Sequence, residues 1–244
     1  MADAIVDGFR QLSASVVADT LRMMAYPSQV MDPTIQPVRD GFKLCGRAFT
    51  LANLPARVGE VNRWYDAEER FRPGDVVVSS IWGSSGINHV IGSRTRGCVG
   101  LIIDGPYRDL SETRRTIPDF PIFCRRGLPE RSANPGSSHR SFHTRWMYDF
   151  NVPIACGSIR VEPGDVVLGD DDGVIVVPKN IEEDALRFAI SYEKADSLVA
   201  SNWNAGKGIR EVDSHVKTWA KDSGLWDWLQ QRGFRSILGP YYPS

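Results

Sequence analysis

The sequence predicts a mixed α/β fold on three observations. Short, mainly apolar runs bounded by turn residues recur at Val76–Ser80, Val99–Ile103 and Val174–Val177, each of strand length. Two longer segments, Ser13–Met24 and Ile181–Ala200, carry apolar residues at helical rather than alternating spacing. A third helix-compatible stretch, Gly86–Arg96, lies between two strands, where a crossover would.

Taken in order, Ser13 offers an N-cap, and Val16, Val17, Thr20, Leu21 and Met24 form one helix face on which Asp19 reads as a solvated acid. Pro27–Asp40 reads as irregular. Cys45, Arg47, Phe49 and Leu51 alternate with Gly46, Ala48 and Thr50, which suits a strand, and Val58–Phe71 has helical character. Pro73-Gly74-Asp75 turns into the next strand. The same phrase, P-G-D-V-V, returns at Pro163–Val167, which suggests two similar turn-strand units. Leu110–Thr116 is a polar helix and Pro121–Cys124 a further strand, while Gly127–Arg145, rich in Pro, Gly, Ser, Arg and His, reads as a functional or interface loop. Val152–Pro178 is a series of short strands with turns at Pro163-Gly164 and Asp172-Gly173. Asp170-Asp171-Asp172 lacks the ligand spacing of a calcium loop and reads as a structural turn. Glu182, Glu183 and Asp184 open the last long helix. Residues 201–244, with Trp203, Trp219, Trp226, Trp228, Tyr241 and Tyr242, read as an aromatic extension that packs on the body or on a neighbouring subunit.

A chain of 244 residues with no long polar linker suits one large domain. Its net charge of −1 gives no general attraction to nucleic acid or to a membrane surface. No apolar run approaches the roughly 20 residues of a membrane span, and Met1-Ala2-Asp3-Ala4 does not open a secretion signal, so a cytoplasmic protein is expected. Cys45, Cys98, Cys124 and Cys156 are widely spaced and read as buried thiols.

The chemistry concentrates where the Val99–Ile103 strand ends. Asp104-Gly105-Pro106 stops the strand, and Arg108 and Asp109 then set a permanent cation beside a hard oxygen ligand at a strand's carboxyl end, where α/β proteins bind ligands. No lysine occurs between Lys43 and Lys179, so that segment offers no Schiff-base amine, whereas its arginines offer planar forks for carboxylates. His139 and His143 have i, i+4 spacing, but no third ligand accompanies them.

The run from Gly97 to Asp109, G-x-x-G-x-x-x-D-G-x-x-R-D, and the later run from Pro163 to Pro178 together resemble the RraA-like family over roughly residues 13–200. The resemblance implies a swivelling β/β/α domain, with mixed sheets, flanking helices and trimers or hexamers that place the site at a subunit interface. It also implies a class II aldolase acting on 4-hydroxy-2-oxo acids, with Mg²⁺ or Mn²⁺ on Asp109, and decarboxylation of oxaloacetate at the same site. By the same resemblance, the backbone of Gly86, Ile87, Asn88 and His89 holds the substrate carboxylate, Arg108 stabilises the enolate, and Glu193 approaches from an adjacent subunit. Ile87 stands where many members carry Asp or Glu, and the 79–85 loop is shorter than usual. Other members bind and inhibit RNase E, which makes a protein-binding regulator the alternative. A methyltransferase reading finds no glycine-rich cofactor loop after the first strand.

Overall fold

The computed structural model describes residues 3–55, 63–80, 85–125, 145–208 and 218–234. Ten strands are described: β1 (Gln36–Pro37), β2 (Leu44–Pro55), β3 (Asp75–Ser79), β4 (Gly100–Ile103), β5 (Ile122–Cys124), β6 (Arg145–Phe150), β7 (Ile154–Cys156), β8 (Ile159–Val161), β9 (Val166–Asp170) and β10 (Gly173–Val177). The described helices are α1 (Ala4–Phe9), α2 (Ala14–Met23), α3 (Trp64–Glu68), α4 (Ile87–Thr95), α5 (Leu110–Thr116), α6 (Glu182–Asn204) and α7 (Leu225–Gln231).

The main sheet runs β1-β5-β4-β3-β2-β9-β10, with β6 also on β2. Strands β2 to β5 are mutually parallel, so their carboxyl ends share one edge. The long β2 serves three neighbours: β3 alongside, β9 over Leu44–Arg47 and β6 over Leu51–Pro55, with a register shift between Ala52 and Asn53. The segment predicted to be irregular does structural work. Met31 N–H donates to Val174 O, Val176 N–H to Gln29 O, and Gln36 and Pro37 pair with Cys124 and Phe123, so residues 29–37 tie β10 to β5 and nearly close a barrel. Inside lie Val76, Val78, Ile102, Phe123, Val167, Val174 and Val176, plugged by the β7–β8 hairpin through Ile154, Cys156 and Val161. Phe123 crosses this interior so closely that a Cβ on Gly169 would sit 3.0 Å from its Cζ.

Helices cover the outside in two groups. Helices α1, α2 and α6 share one core with Cys45, Leu168 and Ile175, and Trp219, Leu225, Trp228 and Leu229 pack into it. Trp64 and Ala67 of α3, Val90 of α4 and Ile117 after α5 pack over Phe49, Leu51, Val77, Leu101 and Ile103. Ser13 caps α2 through Val16 N–H at 3.3 Å, as its residue type requires. The acidic triplet is a turn: Asp170 accepts from Ala14 N–H at 2.8 Å and Asp172 N–H at 3.0 Å, and Asp171 from Gly41 N–H at 2.7 Å. Both P-G-D phrases fold alike, with Gly74 and Gly164 at positive φ and Asp75 and Asp165 accepting from Arg72 N–H at 2.7 Å and Glu162 N–H at 2.8 Å. Burial pushes both carboxyls above the usual range. All four cysteines are buried and none forms a disulfide. No helix among the described residues is long and apolar enough to cross a membrane. His139, His143 and most of the Gly127–Arg145 loop lie outside the described residues.

Candidate active site at the carboxyl ends of the parallel strands

Leaving β4, the chain is pinned twice before it reaches α5. Asp104 N–H donates to Ser79 O at 2.9 Å, and Arg108 N–H donates to Ser85 O at 3.1 Å, where Tyr107 and Ser85 form an isolated parallel bridge. Asp104 fixes the turn, as predicted. Its carboxylate, 3% exposed, pairs with Arg125 and accepts from Gly157 N–H at 2.8 Å. Tyr107 is fully buried beneath the site, its hydroxyl 2.6 Å from Thr113 Oγ1.

Asp109 is the most unusual residue of the group. It takes the left-handed conformation, φ 66° and ψ 25°, at the N-cap of α5, a geometry that Asp tolerates better than most side chains. Its carboxylate makes no bond to the helix it begins. Instead Oδ2 accepts from Ile87 N–H at 3.2 Å, so Asp109 supplies the anion at the positive end of α4. Arg108 Nε lies 3.5 Å from that same oxygen, and the two side chains are about one third exposed, at 34% and 30%.

Gly86, the N-cap of α4, makes this meeting sterically feasible. A Cβ there would stand 2.7 Å from Asp109 Oδ2 and 3.0 Å from Arg108 Nε. Its φ of −147° is extended backbone open to any residue, so close approach rather than conformational freedom is what glycine supplies. The structure therefore brings Gly86, Ile87, Arg108 and Asp109 together. Asn88 is exposed. His89 N–H returns to Gly86 O at 3.1 Å, and its ring is held by Ser85, with Nδ1 to Oγ 3.3 Å, and by Trp64, stacked at 4.0 Å between centroids and 17° between planes. Of the backbone donors expected to receive a substrate carboxylate, Ile87 and His89 thus have internal acceptors here. Glu193 lies on α6, which packs on α1 and α2, and is not among the groups gathered at Gly86.

Sequence reasoning missed Ser85 and Trp64, which hold the His89 ring. It also missed the cluster beneath, where Asn53 Nδ2 donates to Ser79 Oγ at 2.9 Å and Ser80 Oγ at 3.3 Å. The adjacent Ser79 and Ser80 where β3 ends were the available signal; Asn53, between Ala52 and Leu54, and the Trp64 stack had none, because Trp64 reads as an ordinary apolar helix position.

A divalent cation is what the family resemblance implies. Among the described residues no group of three or more His, Cys, Asp or Glu side chains stands ready to bind one. A single part-exposed carboxylate with one oxygen held by Ile87 N–H does fit Mg²⁺ or Mn²⁺, which keep waters and take substrate oxygens rather than requiring an all-protein cage.

The geometry defines a class: a mixed α/β protein with a nearly closed barrel-like sheet and a candidate site where parallel strands end. The chain belongs to the RraA-like family, whose Aldolase/RraA model matches residues 14–176. It is 30% identical over 187 residues to a Halalkalibacterium halodurans protein provisionally named 4-hydroxy-4-methyl-2-oxoglutarate aldolase, with 74% of this chain and 80% of that protein covered. Streptomyces coelicolor RraAS2, described as an unusual member of the RNase ES inhibitor RraA protein family, superimposes with a TM-score of 0.69 at 25% identity, covering 81% of this chain and 96% of that one. An uncharacterized Pseudomonas syringae protein shares the fold at a TM-score of 0.73 and 20% identity, covering 88% and 94% of the two chains. These likenesses bear out the mixed α/β fold and the family.

Proposed function

We propose that the chain is a divalent-metal-dependent lyase that cleaves a 4-hydroxy-2-oxo acid to pyruvate and a second carbonyl compound, and that the same site decarboxylates oxaloacetate. One observation carries the reading: the N-terminus of α4 meets the Arg108–Asp109 pair across Gly86, at 3.2 Å from Ile87 N to Asp109 Oδ2. The likeness to the Halalkalibacterium protein supports the substrate class. The positive end of the α4 dipole draws the substrate carboxylate to this edge, although Ile87 N–H and His89 N–H already have internal acceptors. That carboxylate arrives beside Asp109, so the site needs positive charge, and Arg108 is the permanent cation already there. Its guanidinium stabilises the negative charge that grows on the 2-oxo oxygen as the C3–C4 bond breaks. Asp109 would hold Mg²⁺ or Mn²⁺, with Glu193 of an adjacent subunit approaching that site in a homotrimer or homohexamer. When bound, such a cation supplies a Lewis-acid partner for the 2-oxo oxygen.

The test is pyruvate release from oxaloacetate and from 4-hydroxy-4-methyl-2-oxoglutarate, with Mg²⁺ and with EDTA. Release should occur with Mg²⁺, stop with EDTA, and fall by about 10²–10³ in Arg108→Ala, the usual loss on removing one transition-state donor. The second reading, a protein-binding regulator, is favoured by the likeness to RraAS2 and by Ile87. Absence of pyruvate from both substrates with Mg²⁺ would leave that reading and remove the first.

A further inference from the structure

Helix α4 begins at Gly86 and Ile87, so its placement decides whether they meet Arg108 and Asp109. Val90, fully buried, seats it over Val77, Leu101 and Ile103. Apolar burial is non-directional and leaves the rotation and slide of the helix to be set by other contacts.

Directional contacts come from α3, and they converge on one carboxylate. Glu68 Oε1 accepts from the guanidinium of Arg96, the C-cap of α4, at 2.6 Å, and Glu68 Oε2 accepts from Trp64 Nε1 at 3.1 Å. Trp64 stacks in turn on the His89 ring in the first turn of α4, with 4.0 Å between centroids. Between those levels the carboxylate lies against Gly92, where a Cβ would stand 2.7 Å from Glu68 Cδ and 2.9 Å from Oε2. Residues 89, 92 and 96 are spaced i, i+3, i+7 and so line one face of the helix. The Glu68 side chain, 13% exposed, thus engages that face at its start, middle and end.

Gly92 is an independent sign of this role. It lies inside α4 without a positive φ that would call for glycine, at a position where alanine would favour the helix. What glycine supplies there is room for the Glu68 carboxylate.

Resting on the lyase reading above, we propose that Glu68 is a positioning residue. Its carboxylate fixes the rotation and height of α4 against α3, and through them the place of Gly86 and Ile87 beside Arg108 and Asp109. It touches no substrate. Arg108 and Asp109 follow a different strand, β4, whose exit is pinned by Asp104 N–H on Ser79 O at 2.9 Å. Loosening Glu68 therefore moves the helix end that draws the substrate carboxylate and spares the cation that stabilises the enolate.

Kinetics of pyruvate release from oxaloacetate test this. Glu68→Ala should raise KM about tenfold, within what a helix end contributes to holding a charge in a part-buried site, and leave kcat within about twofold of wild type. A merely structural loss gives the reverse, fewer folded molecules with a lower apparent kcat and an unchanged KM. Gly92→Ala keeps Glu68 but fills its seat, and should raise KM as Glu68→Ala does. The double variant should be no worse than either single one, because the clash needs the carboxylate. If Glu68→Ala does not fold, Gly92→Ala alone decides, since alanine favours the helix. An unchanged KM in the variants that fold, or effects of the two substitutions that simply multiply, overturns the role of Glu68. Wild-type protein that releases pyruvate from neither oxaloacetate nor 4-hydroxy-4-methyl-2-oxoglutarate overturns the lyase reading itself, so the two failures are distinct.

Discussion

Gly86→Ala isolates the close approach on which the site depends. The new Cβ would lie 2.7 Å from Asp109 Oδ2 and 3.0 Å from Arg108 Nε, whereas ordinary contact begins at 3.4 Å, so the carboxylate must retreat by about 0.7 Å. Retreat lengthens the bond from Ile87 N–H, now 3.2 Å, past hydrogen-bonding range. The backbone itself accepts alanine, because φ is −147°. Misplacing reacting groups by such a distance costs about 10² in rate, or about 2.7 kcal/mol of transition-state stabilisation. The expected result is a hundredfold fall in kcat/KM for pyruvate release with Tm within a few degrees of wild type. Wild-type activity in this variant would refute the placement of Arg108 and Asp109, and a collapsed Tm would assign Gly86 to folding instead.

Asp109→Asn keeps an oxygen for Ile87 N–H but removes the charge, so secondary structure should survive while the stimulation of pyruvate release by Mg²⁺ disappears; retained stimulation would exclude Asp109 as the ligand. Asp104→Ala leaves Gly157 N–H without its acceptor and Arg125, 31% exposed, with Asp32 as its remaining carboxylate, a loss of about 1–3 kcal/mol, readable by urea unfolding. Phe123→Ala empties the middle of the barrel and should cost about 3–5 kcal/mol by the same measurement. The Arg47 guanidinium holds the Asp3 carboxyl below its ordinary 3.8. A depressed folded-state value means stability present above about pH 4 and lost as pH falls further, so Asp3→Asn should lower the unfolding free energy at pH 7 by no more than about 1 kcal/mol at this part-exposed pair, and have no effect near pH 2, as read by urea unfolding.

Local signals made most elements legible. The Ser13 cap, the P-G-D turns and the unbroken Val and Ile runs each act through their own backbone preferences, and β3, β4, α5 and α6 fall where those preferences put them. Residues 27–40 are largely irregular, as read, but their tie to the sheet was not legible, because it comes from partners far along the chain: Gln29 and Met31 meet β10, and Gln36 meets β5. Strand β6 went unread for the same reason, since Arg145–Phe150 is ordered by pairing with the far half of β2. At the site, Arg108 and Asp109 stood out as adjacent charges after a buried strand. Nothing local shows that Asp109 turns away from its own helix to that of Ile87, because the interaction is set by how two crossovers lie side by side. Trp64 escaped likewise, its ring being half of a stack whose other half, His89, lies on a different helix.

The strap formed by residues 29–37 bears on how copies of this chain can associate. By occupying hydrogen-bonding positions along β10 and β5, it denies a second molecule the chance to lengthen the sheet at those margins. Among the described residues Ile190, Leu198 and Trp203 lie bare on α6, so a second copy that met this face would do so through side chains rather than backbone.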